Sequence, residues 1–256
     1  MAGSETSIEF RQLFHLDEFE TVVSLQREIW GFDDLELLPL RFLVVVSKVG
    51  GHVFGAYDGP HMVGFCFAIP GIKPGAVPYL HSHMLGVLPD YRNFSIGRRL
   101  KLLQREDALA RGIKLIEWTF DPLELKNAFL NIEKLGAIVR RYQPNQYGMT
   151  SSPLHGGLPT DRVYAEWWLQ APPRPKPAHP AARIAYPADI AEIRAADPDR
   201  ARQIQSDNAA RFQSAFAQGL AVTAFERTET EGAYLLESSV GLPADKSERS
   251  SPDPHP

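Results

Sequence analysis

Five prolines fall within the nine residues Pro172–Pro180, and this run limits the fold more sharply than any other segment. Proline lacks a backbone N–H and fixes φ near −65°, so the run cannot continue a helix or occupy a central strand. It reads as a stiff, extended linker. The chain is thereby divided into a large unit over 1–171, a linker over 172–183, and a smaller unit over 184–239. A polar, Pro/Ser-rich tail over 240–256 follows, with the composition of a disordered segment.

Before the linker, strand and helix signals alternate. Ile8–Phe14 reads as a strand, and Asp17 opens an amphipathic helix in which Phe19, Val22, Val23, Leu25, Ile29 and Trp30 recur at helical spacing until Gly31. A second helix is expected from Pro39 to Val49, ended by Gly50-Gly51. Strands over His52–Tyr57 and Met62–Ile69 are joined by the hairpin signal Asp58-Gly59-Pro60, and Val77–Val87 makes a third. A helix ending near Gly112, a strand Lys114–Phe120, a helix Glu124–Leu135 and strands Ala137–Tyr142 and Arg162–Leu169 complete the unit. An antiparallel start followed by strand–helix–strand–helix–strand implies an α/β class with a central mixed sheet flanked by helices. After the linker, helices over Pro187–Ala196 and from Asp197-Pro198 to Gly219 precede a hairpin of Leu220–Arg227 and Ala233–Leu236. This small helix–helix–hairpin extension has few large apolar side chains and is expected to pack on the main unit instead of folding alone.

Composition narrows the function. A net charge of −4 gives no basic field for nucleic acid or an anionic membrane surface. The longest strongly apolar run, Phe42–Val46, is far too short to span a bilayer, and the polar N-terminus lacks a signal-peptide core. Cys66 is the single cysteine, in an apolar strand, so neither an intrachain disulfide nor a cysteine-based metal cluster is available. A reducing cytoplasm is the simplest compartment, and no metal is expected.

The segment Leu85–Leu100 carries the chemistry. It passes from a strand through a short polar turn into a helix whose first turn holds Ser95, Gly97, Arg98 and Arg99. Unpaired N–H groups at a helix start, the helix dipole and small residues together suit a phosphate. Val87-Leu88-Pro89 is followed by Arg92-Asn93-Phe94-Ser95-Ile96-Gly97, and further on stands Ile132-Glu-Lys-Leu-Gly136-Ala137. Residues 8–170 thereby resemble the GNAT superfamily of acyl-CoA-dependent N-acyltransferases. Its signature is Arg/Gln-x-x-Gly-x-Gly/Ala after a strand ending Val-x-Pro, and its later helix often reads Tyr-Glu-Lys-Leu-Gly-Phe. Two positions depart from the pattern: Ser95 replaces the first signature glycine, and Ile132 stands where many members have an acidic tyrosine.

The resemblance implies acetyl-CoA or another acyl-CoA, such as succinyl-CoA, as co-substrate. Its pyrophosphate would lie on the turn formed by Arg92, Asn93, Phe94, Ser95, Ile96, Gly97 and Arg98, its pantetheine along the strand end at Leu85 and Val87, and Asn127 would reach the pantetheine or the helix end. A main-chain N–H near Leu85 would polarise the thioester carbonyl. The acceptor would be the amine of a small molecule, an amino acid being one candidate because Arg140, Arg141 and Arg162 could hold a carboxylate. Holding a lysine-like amine neutral at pH 7 costs about 4–5 kcal/mol, so a base is useful. His81 and His83, two apart on the strand leading to the thioester, are the candidates, with His155 a weaker one. With Ile132 unable to protonate the leaving thiolate, Tyr142, Tyr147, a water or no acid at all would serve. A catalytically silent acyl-CoA sensor is the alternative, and the extension either covers the acceptor side or supports a homodimer.

Overall fold

The computed structural model describes residues 8–92, 94–152 and 156–243. The N-terminal residues, Asn93, His155 and the tail from residue 244 onward lie outside the described residues. The chain runs β1 (Glu9–Gln12), α1 (Leu16–Trp30), α2 (Leu40–Lys48), β2 (His52–Asp58), β3 (His61–Lys73) and β4 (Val77–Val87). A 3₁₀ turn over Pro89–Tyr91 leads to α3 (Ile96–Ala110), β5 (Leu115–Phe120), α4 (Leu125–Ala128), β6 (Ile138–Gln143) and β7 (Arg162–Trp168). After the proline run come β8 (Ala182–Pro187), α5 (Ile190–Ala196), α6 (Pro198–Ala217), β9 (Leu220–Arg227) and β10 (Glu231–Ser238).

The strands form one mixed sheet in the order β1-β2-β3-β4-β5-β7-β6-β9-β10-β8. Every neighbouring pair is antiparallel except β4 and β5, the parallel pair produced by the α3 crossover. Helices α1 and α2 cover one face over β2–β4, where Phe19, Val22, Leu43 and Val46 pack with Val53, Phe65 and Phe67. On the other face α3 sets Ile96 and Leu100 against Phe54, Val63 and Cys66. A larger cluster joins Ile116, Trp118, Val163 and Ala165 to Ile132, Phe212, Val222 and Tyr234. Phe212 of α6 is fully buried between the rings of Tyr142, at 5.6 Å, and Tyr234, at 5.1 Å. The extension therefore shares both the sheet and the core of the preceding residues.

Two elements differ from the sequence reading. Ala182–Pro187 is an edge strand pairing with β10, and the following helix begins only at Ile190. Its inward residues Ile184 and Tyr186 give a period-two signal too short to register beside the prolines. The helix expected over Glu124–Leu135 changes at Phe129 into a π-helical turn, Phe129–Lys134, marked by Leu135 N–H donating to Leu130 O at 3.0 Å. Ile132 is buried within that turn and belongs to the core.

Candidate active site

Strands β4 and β5 pair only at Leu80 with Ile116 and His81 with Glu117. Beyond that point they part, leaving a fork in the middle of the sheet. The main chain of β4 beyond the fork retains one edge for a ligand. Leu88 N–H donates to Val63 O of the β3 side at 2.9 Å. Strand backbone groups alternate in direction, so those of Leu85 and Val87 face away from β3, into the fork. Arg92 Nε approaches Val87 O at 3.4 Å from that side.

The fork opens toward the start of α3. Ser95 precedes that helix with φ 60° and ψ 13°, a left-handed conformation, and its side chain makes no cap. The first helical bond is Arg99 N–H to Ser95 O, at 3.0 Å. Among the described residues, the N–H groups of Ile96, Gly97 and Arg98 have no acceptor. These donors and the helix dipole present a ready anion site, flanked by the exposed side chains of Arg92, Phe94, Arg98 and Arg99. A Cβ on Gly97 would meet only Leu85 Cδ2 at 3.5 Å and Val87 Cγ2 at 4.0 Å, ordinary contacts, so the fold itself does not demand glycine here. Ser95, by contrast, occupies backbone geometry that favours glycine. A Ser95→Gly variant is expected to gain roughly 0.5–1 kcal/mol, the relief of left-handed strain less glycine's added unfolded-state entropy, read as a higher Tm.

The fork has two faces. On the α1 side stand His81 and His83, their rings 5.9 Å apart, with His83 also against Phe67 at 5.6 Å. A register shift between Phe67 and Ala68, opposite Met84 and Ser82, leaves His83 as the extra residue of a bulge and keeps both imidazoles on this face. Burial, then the neighbouring His83, pushes His81 down to about 4, and burial lowers His83 as well. Both rings are therefore neutral at pH 7, as a proton acceptor must be, and burial makes each a weaker base than a free imidazole. In register with His81 is Glu117, 3% exposed and held by Lys73 Nζ at 2.7 Å and an Arg141 guanidinium nitrogen at 2.9 Å. Tyr147 reaches the other arm, its hydroxyl 2.9 Å from Thr119 Oγ1 of β5, with the Arg162 guanidinium 5.5 Å from its ring.

The folded-state shift at His81 has a stability consequence. Its folded value lies below the unfolded value of 6.5, so its contribution is complete above pH 6.5 and disappears as pH falls from 6.5 toward 4, where only the unfolded chain takes up the proton. The full shift corresponds to about 3 kcal/mol. Wild-type Tm should therefore drop more steeply than that of His81→Gln across this window, measured by thermal melts at matched ionic strength.

A strap crosses this same face. Trp30, at the end of α1, lies where a Cβ on Gly86 of β4 would meet its ring at 2.7 Å. Ser152 Oγ donates to Trp30 O at 2.6 Å, Asp33 N–H donates to Ser151 Oγ at 3.0 Å, and Glu36 accepts from Thr150 Oγ1 and Ser151 N–H. Residues 147–152 thus link Thr119 of β5 to the end of α1, where Trp30 lies against Gly86 of β4.

Other residues singled out in the sequence lie elsewhere. Tyr142 is on β6, three strand positions from β4, or about 14 Å at ~4.8 Å per strand. Its hydroxyl donates to Asp161, its ring stacks on Phe212, and burial together with that carboxylate drives its pKa far up. The structure does not bring it to the fork. Asn127 is exposed on α4. Arg140 and Arg141 are engaged by the buried carboxylates of Glu166 and Glu117. Glu117 and Lys73 join these residues through strand register, which no local motif signals, while Tyr147, one of the acids weighed from the sequence, reaches β5 through loop folding. Among the described residues no group of three or more His, Cys, Asp or Glu side chains could hold a metal ion, and no helix is long and apolar enough to cross a membrane.

A mixed sheet forked at its parallel pair, with an uncapped helix start at the mouth of the fork, has the features of an acyl-CoA-dependent acyltransferase. Residues 12–134 match the family described as the Acetyltransferase (GNAT) family. No curated protein matches the chain. Among solved structures it is similar in fold to Arabidopsis thaliana NAA60 in complex with a bisubstrate analogue (TM-score 0.52, 15% identity, 63% of this chain and 98% of that one). It is likewise similar to yncA from Salmonella typhimurium with its cofactor acetyl-CoA (TM-score 0.52, 14% identity, 66% and 98%). A third is the ribosomal-protein-S18-alanine N-acetyltransferase from Escherichia coli (TM-score 0.50, 14% identity, 65% and 96%).

Proposed function

We propose that this chain transfers an acyl group from acyl-CoA to the amine of a small molecule in a ternary complex, within a reducing cytoplasm. The observation that carries this reading is the β4 edge at Leu85 and Val87, paired with no strand on the fork side, running into the uncapped start of α3. The residues fit the co-substrate. Main-chain N–H groups of Ile96, Gly97 and Arg98, supported by Arg92 and Arg98, receive the pyrophosphate, and the Leu85–Val87 edge pairs with the pantetheine amides. Bound there, acyl-CoA supplies an activated thioester carbonyl.

The chain's own groups do the rest. A main-chain donor at Leu85 polarises the carbonyl, a contribution of about 2.7–4 kcal/mol for such a preorganised N–H. The neutral imidazoles of His81 and His83 take the proton that the attacking amine must lose. Tyr147, at the fork on the same face, donates to the departing thiolate, a role that neither Ile132 nor Tyr142 is placed to fill. Arg162, beside Tyr147, receives a carboxylate when the acceptor is an amino acid.

Thiol release on mixing acetyl-CoA or succinyl-CoA with a panel of amino acids and small amines tests this reading. Release dependent on one amine class supports transfer. Tight acyl-CoA binding without release from any pair would instead mark a sensor, and absence of binding would refute both.

A further inference from the structure

On the face of the fork opposite the histidines lies a lysine with no acid. Lys101 of α3 is 2% exposed, and its ammonium bridges the two arms just past the last paired residues. It donates to Ser82 Oγ of β4 at 2.7 Å and sits 3.6 Å from the ring centre of Trp118 of β5. Ser82 passes its own proton to Gln104 Oε1 at 2.8 Å, which leaves Gln104 Nε2, on a fully buried side chain, without an acceptor. Cys66, also buried, offers only a thiol that burial pushes up to about 12. Among the described residues no carboxylate lies against Lys101, and burial lowers it to about 7. Buried lysines are ordinarily paired, and a buried amide N–H without an acceptor is costly. Lys101 and Gln104 thus meet at Ser82, and among the described residues no anion is supplied to either.

We propose that Lys101, with Gln104, forms the floor of the acyl pocket and receives the terminal carboxylate of a dicarboxylic acyl donor of the succinyl class. This proposal rests on the acyl-CoA reading of the fork. The dimensions suit it. From Leu85, where the thioester carbonyl is placed, to Ser82 is about 10 Å at most at ~3.3 Å per residue. A four-carbon diacyl chain spans about 5 Å from its thioester carbon to the far carboxylate at ~1.5 Å per bond, and a charge-assisted hydrogen bond adds about 2.8 Å. An acetyl group ends well short of Lys101. A butyryl group has the length but brings a methyl group to an ammonium.

The test compares binding of succinyl-CoA and butyryl-CoA, equal in chain length, to the full chain and to Lys101→Met, by calorimetry. The wild type should bind succinyl-CoA at least tenfold more tightly than butyryl-CoA. Lys101→Met should remove that preference while leaving butyryl-CoA affinity within about twofold. Equal wild-type affinities would overturn the proposal whatever the stability of the variant, as would a preference that survives in Lys101→Met. In both cases the acyl-CoA site itself would stand. Failure of either thioester to bind would instead remove the acyl-CoA reading, and this proposal with it.

Discussion

A Gly97→Trp variant should lose at least about 100-fold in affinity for acetyl-CoA, equivalent to roughly 2.7 kcal/mol. A Cβ at Gly97 would lie 3.5 Å from Leu85 Cδ2 and 4.0 Å from Val87 Cγ2, so an indole there stands between the start of α3 and the end of β4, where the pyrophosphate is proposed to lie. Gly97→Ala is the informative companion. One methyl group in ordinary contact strains nothing, and replacing glycine by alanine in a helix gains about 1 kcal/mol of propensity. The alanine variant should therefore melt higher than wild type while binding more weakly than wild type and more tightly than the tryptophan variant. Calorimetric titration and thermal melts of the three proteins check both directions. Unchanged binding in Gly97→Trp would place the pyrophosphate elsewhere.

Replacing both histidines, His81→Gln with His83→Gln, should lower kcat/KM for the amine by about 10²-fold or more, the usual range for a lost general base. The affinity for acyl-CoA should stay within about threefold, because neither imidazole lies on the free edge of β4. The two rings lie on one face within 5.9 Å of each other, so either single substitution should cost less than the pair. Rates that rise in the double variant as the amine's own deprotonation is favoured by higher pH would identify the lost step as proton removal. A double variant with wild-type kcat/KM at pH 7 would show that the amine is deprotonated without them.

The parts of the fold that were legible in the sequence are those with local signals. Gly31, with φ 67°, ends α1 as its position after the last apolar repeat implied, and Asp197 caps α6 by accepting from Arg200 N–H. The Leu85–Gly97 segment was readable because strand, turn and helix start are contiguous. Strand β8 was hidden because its six residues abut a proline run that dominates any local window. The π-helical turn was hidden because its cause is an altered bonding pattern around Asn131 and Gly136, not a change of composition. The acceptor face was the least legible. Glu117, Arg141, Lys73, Thr119 and Tyr147 come from three strands and a loop, and only the β3–β4–β5–β7–β6 order brings them together. Lys101 had the pattern of an ordinary helix lysine, since nothing in the sequence reveals that its position faces Trp118.

A crystal structure of the chain grown with CoA would show whether the fork between β4 and β5 holds the co-substrate. Pantetheine density is expected between β4 and β5, with main-chain hydrogen bonds to Leu85 and Val87 and the pyrophosphate within about 3 Å of the N–H groups of Ile96, Gly97 and Arg98. CoA bound away from the fork, or a fork that remains empty at saturating CoA, would contradict this placement.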